Sequence, residues 1–123
     1  MGWMVASAAS RHMENLLQGK CVPCEGGIPN YTPAEIAEFA PQVPQWHVVE
    51  NHHIVREWKF PDFVSALKAV NAIGAIAESE GHHPDIRFGW GYLEVTLWTH
   101  AIGGLFKNDF IMAAKIDAAL SAA

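Results

Sequence analysis

One long amphipathic helix between two pairs of β-rich runs limits the folds that this chain can adopt. From about Pro61 to Glu80, apolar residues recur at steps of three and four, which is the period of a helix with one buried face. Gly81 suits the left-handed conformation that commonly ends a helix, and Pro84 prevents the helix from resuming. Such a helix needs a second apolar layer to pack against. The expected stripe comprises Phe63, Ala66, Leu67, Val70, Ile73, Gly74 and Ala77.

The β-rich runs predict two antiparallel hairpins, one before the helix and one after it. The first pairs residues 46–49 with residues 54–60, and the second pairs residues 86–90 with residues 93–99. Short polar or glycine-containing segments separate the two runs of each pair, as expected for hairpin turns. The four strands can therefore supply the apolar layer that the helix needs.

Two shorter helices complete the expected order. Residues 32–35, Thr-Pro-Ala-Glu, have the capping-box pattern that starts a helix, and Pro41 and Pro44 end this helix early. Asn108 can cap a last helix. The order α-β-β-α-β-β-α over residues 31–123 predicts an α+β domain, in which three helices pack on one face of a four-stranded antiparallel sheet.

Residues 1–30 are expected to form an irregular N-terminal arm, because prolines and glycines interrupt it and it shows little periodicity. Cys21 and Cys24 in this arm have C-x-x-C spacing, which suits half a zinc site, a redox pair or a structural disulfide. The sequence contains no second C-x-x-C, so zinc would need histidine ligands or a partner chain. The alternative is that the two thiols have no role in activity.

The charge and hydropathy patterns argue against several classes of function. Of the 123 residues, 50% are hydrophobic and 17% are charged, which is typical of a folded domain. The net charge of −5 disfavours binding to nucleic acid or anionic lipid. No apolar run approaches the roughly 20 residues that span a bilayer, and residues 1–12 lack the pattern of a signal peptide. We therefore expect a cytoplasmic protein that binds neither nucleic acid nor membrane.

Three histidines flank the second hairpin and are the candidate catalytic groups. His82 and His83 follow the end of the long helix, and His100 lies at the end of the last expected strand. Glu78 precedes His82 by about one helical turn, so its carboxylate can orient an imidazole. Histidine titrates nearest to neutrality, and imidazoles that converge on one cleft can therefore both donate and accept protons.

Two other interpretations of these residues remain open. A metal site built from Glu78, His82, His83 and His100 competes with acid–base chemistry, although adjacent histidines seldom bind one ion and the H-E-x-x-H spacing is absent. The tryptophans either fill the core or stack against a flat ligand, and Trp90 is the candidate for stacking. The sequence shows no recognisable serine or cysteine nucleophile with its base, and no phosphate-binding loop.

The spacing of these residues resembles the signature of the pterin-4a-carbinolamine dehydratase family. This resemblance covers about residues 30–120 and implies an α+β fold with a four-stranded antiparallel sheet, in agreement with the order of elements derived above. It also implies a homodimer or a homotetramer. The matching positions are Glu78, His82, His83, Pro84, Trp90, Thr99, His100, Gly104, Leu105 and Asp109.

The resemblance implies a dehydratase that removes water from a 4a-hydroxytetrahydropterin and gives quinonoid dihydropterin, in recycling of the tetrahydropterin cofactor. The pterin is the substrate, and neither a metal nor a further cofactor is implied. His82, His83 and His100 correspond to the three active-site histidines of the family. The resemblance is compatible with acid–base catalysis by His83 and His100 and with pterin binding by His82.

Further positions follow from the same resemblance. Substrate contacts are expected from Glu78, Pro84, Trp46 and Trp90, and Asp109 is expected to orient a histidine or to cap a helix. The implied partners are the pterin and an aromatic amino acid hydroxylase. A binding or regulatory module for a hydroxylase or a transcription factor, without catalysis, is the alternative.

Two positions depart from the family pattern. Phe106 stands where a Ser or Thr helix cap is usual, so Asn108 is expected to take over the cap. Trp98 stands where a small residue is common, just before Thr99 and His100. These departures are expected to affect the rim of the pocket or an oligomer contact more than the reaction.

Overall fold

The computed structural model describes residues 16–22 and 29–121 and has the order of elements expected from the sequence. The predictions for residues 1–12 and for Cys24 lie outside the described residues. Short 3-10 turns at Ala40–Gln42 and His100–Ile102 follow the first helix and the last strand. The elements are α1 (Pro33–Phe39), β1 (His47–Val49), β2 (His53–Lys59), α2 (Phe63–Glu80), β3 (Asp85–Gly89), β4 (Tyr92–Leu97) and α3 (Lys107–Ser121).

The four strands form one antiparallel sheet in the order β1-β2-β4-β3, which confirms the predicted α+β class. The two hairpins join through β2 and β4, whose ladder runs from Ile54 opposite Leu97 to Lys59 opposite Tyr92. The strands β1 and β3 are the two edges. This topology places the C-terminal end of β4 beside the N-terminal end of β3, where all three candidate histidines lie.

The core lies between one face of the sheet and the two long helices. Along β4 the side chains of Leu93, Val95 and Leu97 are fully buried, whereas the residues between them are only partly buried, as expected for a strand with one covered face. Residues 110–113 of α3 are all buried, so this helix is covered on several sides. In the described part of the chain, no helix has the length and apolar character needed to cross a membrane.

The buried seam of α2 is narrower than the predicted stripe. Ala66, Ile73 and Ala77 are buried as expected, and Ala69 joins them. Phe63 and Leu67, which were expected to be buried, are 44% and 37% exposed. The buried positions are mostly alanines, whose small side chains let the helix lie close to the layer beneath it, so the larger residues beside the seam stay at its margin.

The start of α1 and the end of α2 follow the local signals of the sequence. Thr32 and Glu35 form the predicted capping box, with Glu35 N–H donating to Thr32 Oγ1 and Thr32 N–H donating to the Glu35 carboxylate. At the C-terminal end of α2, Gly81 adopts φ 66°, the left-handed conformation expected there. The end of α2 therefore turns the chain directly into His82.

The prediction that Asn108 caps α3 is wrong. The helix begins at Lys107, so Asn108 lies within its first turn, and its side-chain amide binds the backbone of Val22 instead. The Asp109 carboxylate accepts a hydrogen bond from Phe106 N–H at 3.0 Å and so satisfies a donor at the start of the helix. A carboxylate near a helix N-terminus is also favoured by the helix dipole.

Candidate active site

His82 is held by a buried carboxylate. Its Nε2 lies 2.7 Å from Asp109 Oδ1, and the two side chains are 11% and 0% exposed. The contact joins the residue after the αL turn of α2 to the first turn of α3. The predicted orienting role of Asp109 therefore has a geometric basis in this hydrogen bond.

Asp109 receives two further hydrogen bonds on its other oxygen. Thr99 Oγ1 donates to Oδ2 at 2.8 Å, and Phe106 N–H donates to the same atom at 3.0 Å. An ionised carboxylate only accepts hydrogen bonds, so the His82 nitrogen that faces it carries a proton. In the neutral ring this leaves His82 Nδ1 as the acceptor, and the network fixes both the tautomer and the orientation of the imidazole.

His83 and Glu78 form a second pair at the surface. His83 Nε2 lies 2.5 Å from Glu78 Oε2, and the side chains are 61% and 79% exposed. Glu78 stands in the last turn of α2, and the αL residue Gly81 folds the chain back toward it. The predicted pairing of Glu78 with a histidine is therefore present, with His83 as the partner.

His100 lies beside Trp98 and Asp85. The Trp98 and His100 rings are stacked, with centroids 4.0 Å apart and planes at 30°. Asp85 Oδ2 lies 4.0 Å from His100 Nε2 and accepts a hydrogen bond of 3.4 Å from Trp98 Nε1. Each of the three histidines thus has a carboxylate of its own within ion-pair distance.

A single open cleft of about 260 Å³ is shared by the three histidines. Residues from the end of α2 form one side, and residues that follow β4 form another. The sequence prediction that distant imidazoles converge thus agrees with their placement in the fold. The lining residues are Val22, Gly81, His82, His83, Trp98, Thr99, His100 and Ala101.

Trp90, expected near the pterin, lies at the far end of the β3–β4 hairpin. The ladder runs from Asp85 opposite Thr96 to Gly89 opposite Tyr92, and Trp90 belongs to the turn beyond that last pair. Strands of this length separate their two ends by roughly 15 Å. Trp90 is 72% exposed, and a single chain does not place its indole over a ring held by the histidines.

Trp46 is also not among the described residues that line the cleft. Its side chain is 4% exposed and its Nε1 donates to Asp117 Oδ1 at 2.8 Å. Arg56 binds the same oxygen at 2.6 Å and lies over the Trp58 ring, which meets the Trp46 ring edge-on. These contacts make Trp46 part of the packed core. Sequence position does not reveal this, because the indole partner comes from the last helix.

The sequence assigns no role to Thr99 or Asp85, and it predicts for Trp98 only an effect on the rim of the pocket or on an oligomer contact. Thr99 binds Asp109, Asp85 lies beside His100, and Trp98 stacks on His100. The sequence contains a weak indication that these residues belong to the site, because each is adjacent to a residue of the histidine signature. Pro84, expected to contact the substrate, connects His83 to β3 and is not among the described residues that line the cleft.

The described part of the N-terminal arm contributes Val22 to the lining of the cleft. Residues 16–18 are helical and Leu16 is 1% exposed, so this part of the arm is anchored in the core. Further on, Cys21 N–H donates to Glu80 Oε1 at 2.9 Å. Burial, with added repulsion from Glu80 and Asp109, raises the pKa of the Cys21 thiol to about 12. Cys21 therefore keeps its proton at neutral pH and is a poor nucleophile.

Glu80 is expected to make the stability of the arm contact depend on pH. The hydrogen bond from Cys21 N–H, followed by the attraction of Lys115, lowers the pKa of the Glu80 carboxyl below its ordinary value of 4.5. The stabilisation is therefore complete above about pH 4.5 and is lost as the pH falls through the lowered pKa. We expect Glu80→Gln to reduce the free energy of unfolding at pH 7 and to differ less from wild type in acid, as urea titrations at pH 7 and pH 3 would measure.

The control for this prediction is Glu57→Gln. Glu57 forms an exposed ion pair with Lys59, and such pairs contribute little to stability. An equal loss in both variants, or a Glu80→Gln difference that does not change with pH, would contradict the assignment.

The described histidines are not arranged as a metal-binding cluster. Among residues 16–22 and 29–121, no group of three or more His, Cys, Asp or Glu side chains is arranged to hold a metal ion. The carboxylate neighbours of the histidines instead act as hydrogen-bond or ion-pair partners. This arrangement suits imidazoles that exchange protons.

Comparison with known proteins identifies the family. The model of the family described as "Pterin 4 alpha carbinolamine dehydratase" matches residues 29–119. A protein of Rubrobacter xylanophilus that is named as a pterin-4-alpha-carbinolamine dehydratase is 48% identical over 105 residues, which cover 85% of this chain and 98% of the relative.

Comparison with solved structures points to the same family. A structure described as a transcriptional coactivator/pterin dehydratase from Brucella melitensis matches with a TM-score of 0.69 and 31% identity, covering 73% of this chain and 97% of the other. A pterin dehydratase-like protein described as a RuBisCO assembly factor in the alpha-carboxysome matches with a TM-score of 0.53 and 25% identity, covering 61% and 88%. The family expected from the sequence is confirmed, and the chain belongs to the pterin-4-alpha-carbinolamine dehydratase family.

Proposed function

We propose that this protein is a cytoplasmic dehydratase that converts a 4a-hydroxytetrahydropterin into quinonoid dihydropterin and water. The C4a–O bond breaks with protonation of the leaving hydroxyl, N5 loses its proton, and a C4a=N5 double bond forms. Loss of water leaves the overall oxidation level of the pterin unchanged, so the reaction needs two proton transfers and no redox partner. The observation that carries the proposal is the convergence of three imidazoles, each with a carboxylate neighbour, on one cleft.

His83 and His100 are the proposed acid and base. Their side chains are 61% and 56% exposed, so each imidazole can exchange its proton with solvent between turnovers. Glu78 and Asp85 lie within ion-pair distance of His83 and His100, respectively. One imidazolium would protonate the 4a-hydroxyl while the other imidazole, in its neutral form, takes the proton from N5.

His82 is the proposed binding residue. Its Nε2 is tied to the buried Asp109, so its Nδ1 presents a hydrogen-bond acceptor in a fixed direction. A fixed acceptor suits the 4a-hydroxyl group, which must be held while a neighbouring imidazolium protonates it. Glu78 acts through His83 in this scheme, and neither Trp46 nor Trp90 takes part within one chain.

The partners follow from the proposed reaction. An aromatic amino acid hydroxylase releases the carbinolamine, so such an enzyme would supply the substrate, and a reductase would consume the product. A homodimer or a homotetramer is proposed for the assembly. The edge strand β3 supports association through the sheets, because an unpaired edge can accept a strand from a second copy.

The decisive experiment follows the carbinolamine directly. Phenylalanine hydroxylase would generate the 4a-hydroxytetrahydropterin, and its ultraviolet decay would be recorded with and without this protein. We expect the protein to accelerate the decay in proportion to its concentration. Decay at the uncatalysed rate, with a protein shown to be folded, would refute the proposal.

A binding function is the second candidate. Two matched structures are described as a transcriptional coactivator/pterin dehydratase and as a RuBisCO assembly factor. In this chain, Phe63, Val64 and Leu67 are exposed near the start of α2. A group of exposed apolar side chains is typical of a surface that contacts another protein. Under this alternative the cleft histidines would be dispensable, so the decay experiment separates the two functions.

A further inference from the structure

We propose that the arm segment Lys20–Val22 is a wall of the substrate cleft, with Val22 contacting the bound heterocycle and Asn108 acting as the positioning residue that holds Val22 there. This inference rests on the proposed function and names an element of the same site. The starting observation is that Val22 lines the cleft together with the histidines although it precedes His82 by sixty residues in the sequence.

The Asn108 side chain holds Val22 at two points. Asn108 Oδ1 accepts from Val22 N–H at 3.0 Å, and Asn108 Nδ2 donates to Val22 O at 2.8 Å. A primary amide that binds both backbone groups of one residue fixes the position and the direction of that residue. Asn108 is 2% exposed, so its amide needs these partners, and releasing the segment would leave buried polar atoms without them.

A second anchor holds the neighbouring residue. Cys21 N–H donates to Glu80 Oε1 at 2.9 Å, and the Glu80 carboxylate also lies 3.4 Å from Lys115 Nζ. The Glu80 side chain is 4% exposed. The segment therefore bridges the end of α2 and the start of α3 through buried side chains on both helices.

Both anchors adjoin the residues that fix His82. Glu80 is two residues before His82, and Asn108 directly precedes Asp109, which binds His82 Nε2. The same two helix ends thus set the place of the imidazole and the place of Val22. Val22 is therefore held at a fixed distance from the His82 imidazole, and a ligand that binds His82 would contact Val22.

The chemistry of Val22 suits contact with a flat ring. Its side chain is 51% exposed in a cleft whose other side chains are largely polar or aromatic. A pterin has polar edges and apolar faces, and an exposed aliphatic group gains by covering such a face. Covering about 40 Å² of apolar surface strengthens binding about fivefold.

The test compares Val22→Ala and Asn108→Ala with the control Thr32→Ala, which removes the N-cap of α1 and is not part of the described cleft lining. Dehydration kinetics give kcat and KM, and quenching of tryptophan fluorescence by 7,8-dihydropterin gives Kd. We expect Val22→Ala to raise KM and Kd about fivefold with kcat within about twofold of wild type. Asn108→Ala is expected to raise KM and Kd at least as much, and Thr32→Ala to change neither.

The outcomes separate this inference from the proposed function. KM and Kd within twofold of wild type in Val22→Ala would overturn the arm wall while leaving the dehydratase intact. Val22 is exposed, so its variant decides the matter even if Asn108→Ala does not fold. A wild-type protein that binds dihydropterin but does not accelerate carbinolamine decay would refute the function, and the Kd of Val22→Ala would still decide the role of the arm. A wild-type protein that does neither overturns both.

Discussion

Replacement of His83 or His100 by Ala is expected to lower kcat for carbinolamine dehydration by at least tenfold and by up to about 10⁴-fold. Each imidazole is proposed to move one of the two protons of the reaction, and the third histidine of the cleft lining, His82, is held by Asp109 in the proposed binding role. Stopped-flow recording of the ultraviolet decay measures kcat directly. Because both side chains are more than half exposed, their removal should leave the unfolding free energy almost unchanged.

Two further variants make this result specific to proton transfer. His83→Gln keeps a polar group near Glu78 but does not titrate, so it should be nearly as slow as His83→Ala. His47→Ala removes an exposed histidine of β1 that is not among the described residues of the cleft lining, and it should retain wild-type kcat. A normal rate in either alanine variant of the cleft would remove that residue from the acid–base assignment.

Local signals in the sequence are sufficient for most of the fold. The helix α2 ends where Gly81 adopts the left-handed conformation and cannot resume at Pro84, and the capping box at Thr32 starts α1. Hairpins are likewise local, because each pairs neighbouring segments through a short turn. The order β1-β2-β4-β3 then follows when the two hairpins join, although the sequence pattern does not specify which strands meet.

The candidate site is less accessible to sequence reasoning because its geometry depends on contacts between distant elements. Asp109 is in the signature, yet its hydrogen bonds to His82 and Thr99 require α3 to dock against the end of α2. Asn108 is of a residue type that often caps helices, but its side-chain amide is hydrogen-bonded to the backbone of Val22 in the arm instead. Trp90 lies between the histidines in sequence and at the opposite end of the hairpin in space. A position between two residues in sequence is not a position between them in space, because the strands of a hairpin carry its turn away from their other ends.

Asp109→Asn is expected to lower kcat by about 10²–10⁴-fold and the free energy of unfolding by about 1–3 kcal/mol. The Asp109 carboxylate accepts three hydrogen bonds, two on Oδ2 and one on Oδ1. An amide has one accepting oxygen and one donating nitrogen. If the oxygen keeps Thr99 and Phe106, the NH₂ group faces His82 Nε2 and forces the proton onto Nδ1, which reverses the tautomer. If the amide is rotated so that its oxygen accepts from His82 Nε2–H, its NH₂ group faces the Phe106 N–H, and two donors then face each other in a buried site.

Asp117→Asn is the matched control, because Asp117 is likewise a carboxylate of α3 that accepts side-chain hydrogen bonds, here from Trp46 and Arg56, but it is not part of the cleft lining. It should lower stability and leave kcat within about twofold of wild type, since the loss of this partly buried ion pair does not reorient His82. Nitrogen-15 shifts of the His82 ring would report the tautomer in Asp109→Asn. A loss of kcat shared equally by both variants would mean that Asp109 acts through stability alone, whereas a loss confined to Asp109→Asn, together with the reversed tautomer, assigns it to the orientation of His82.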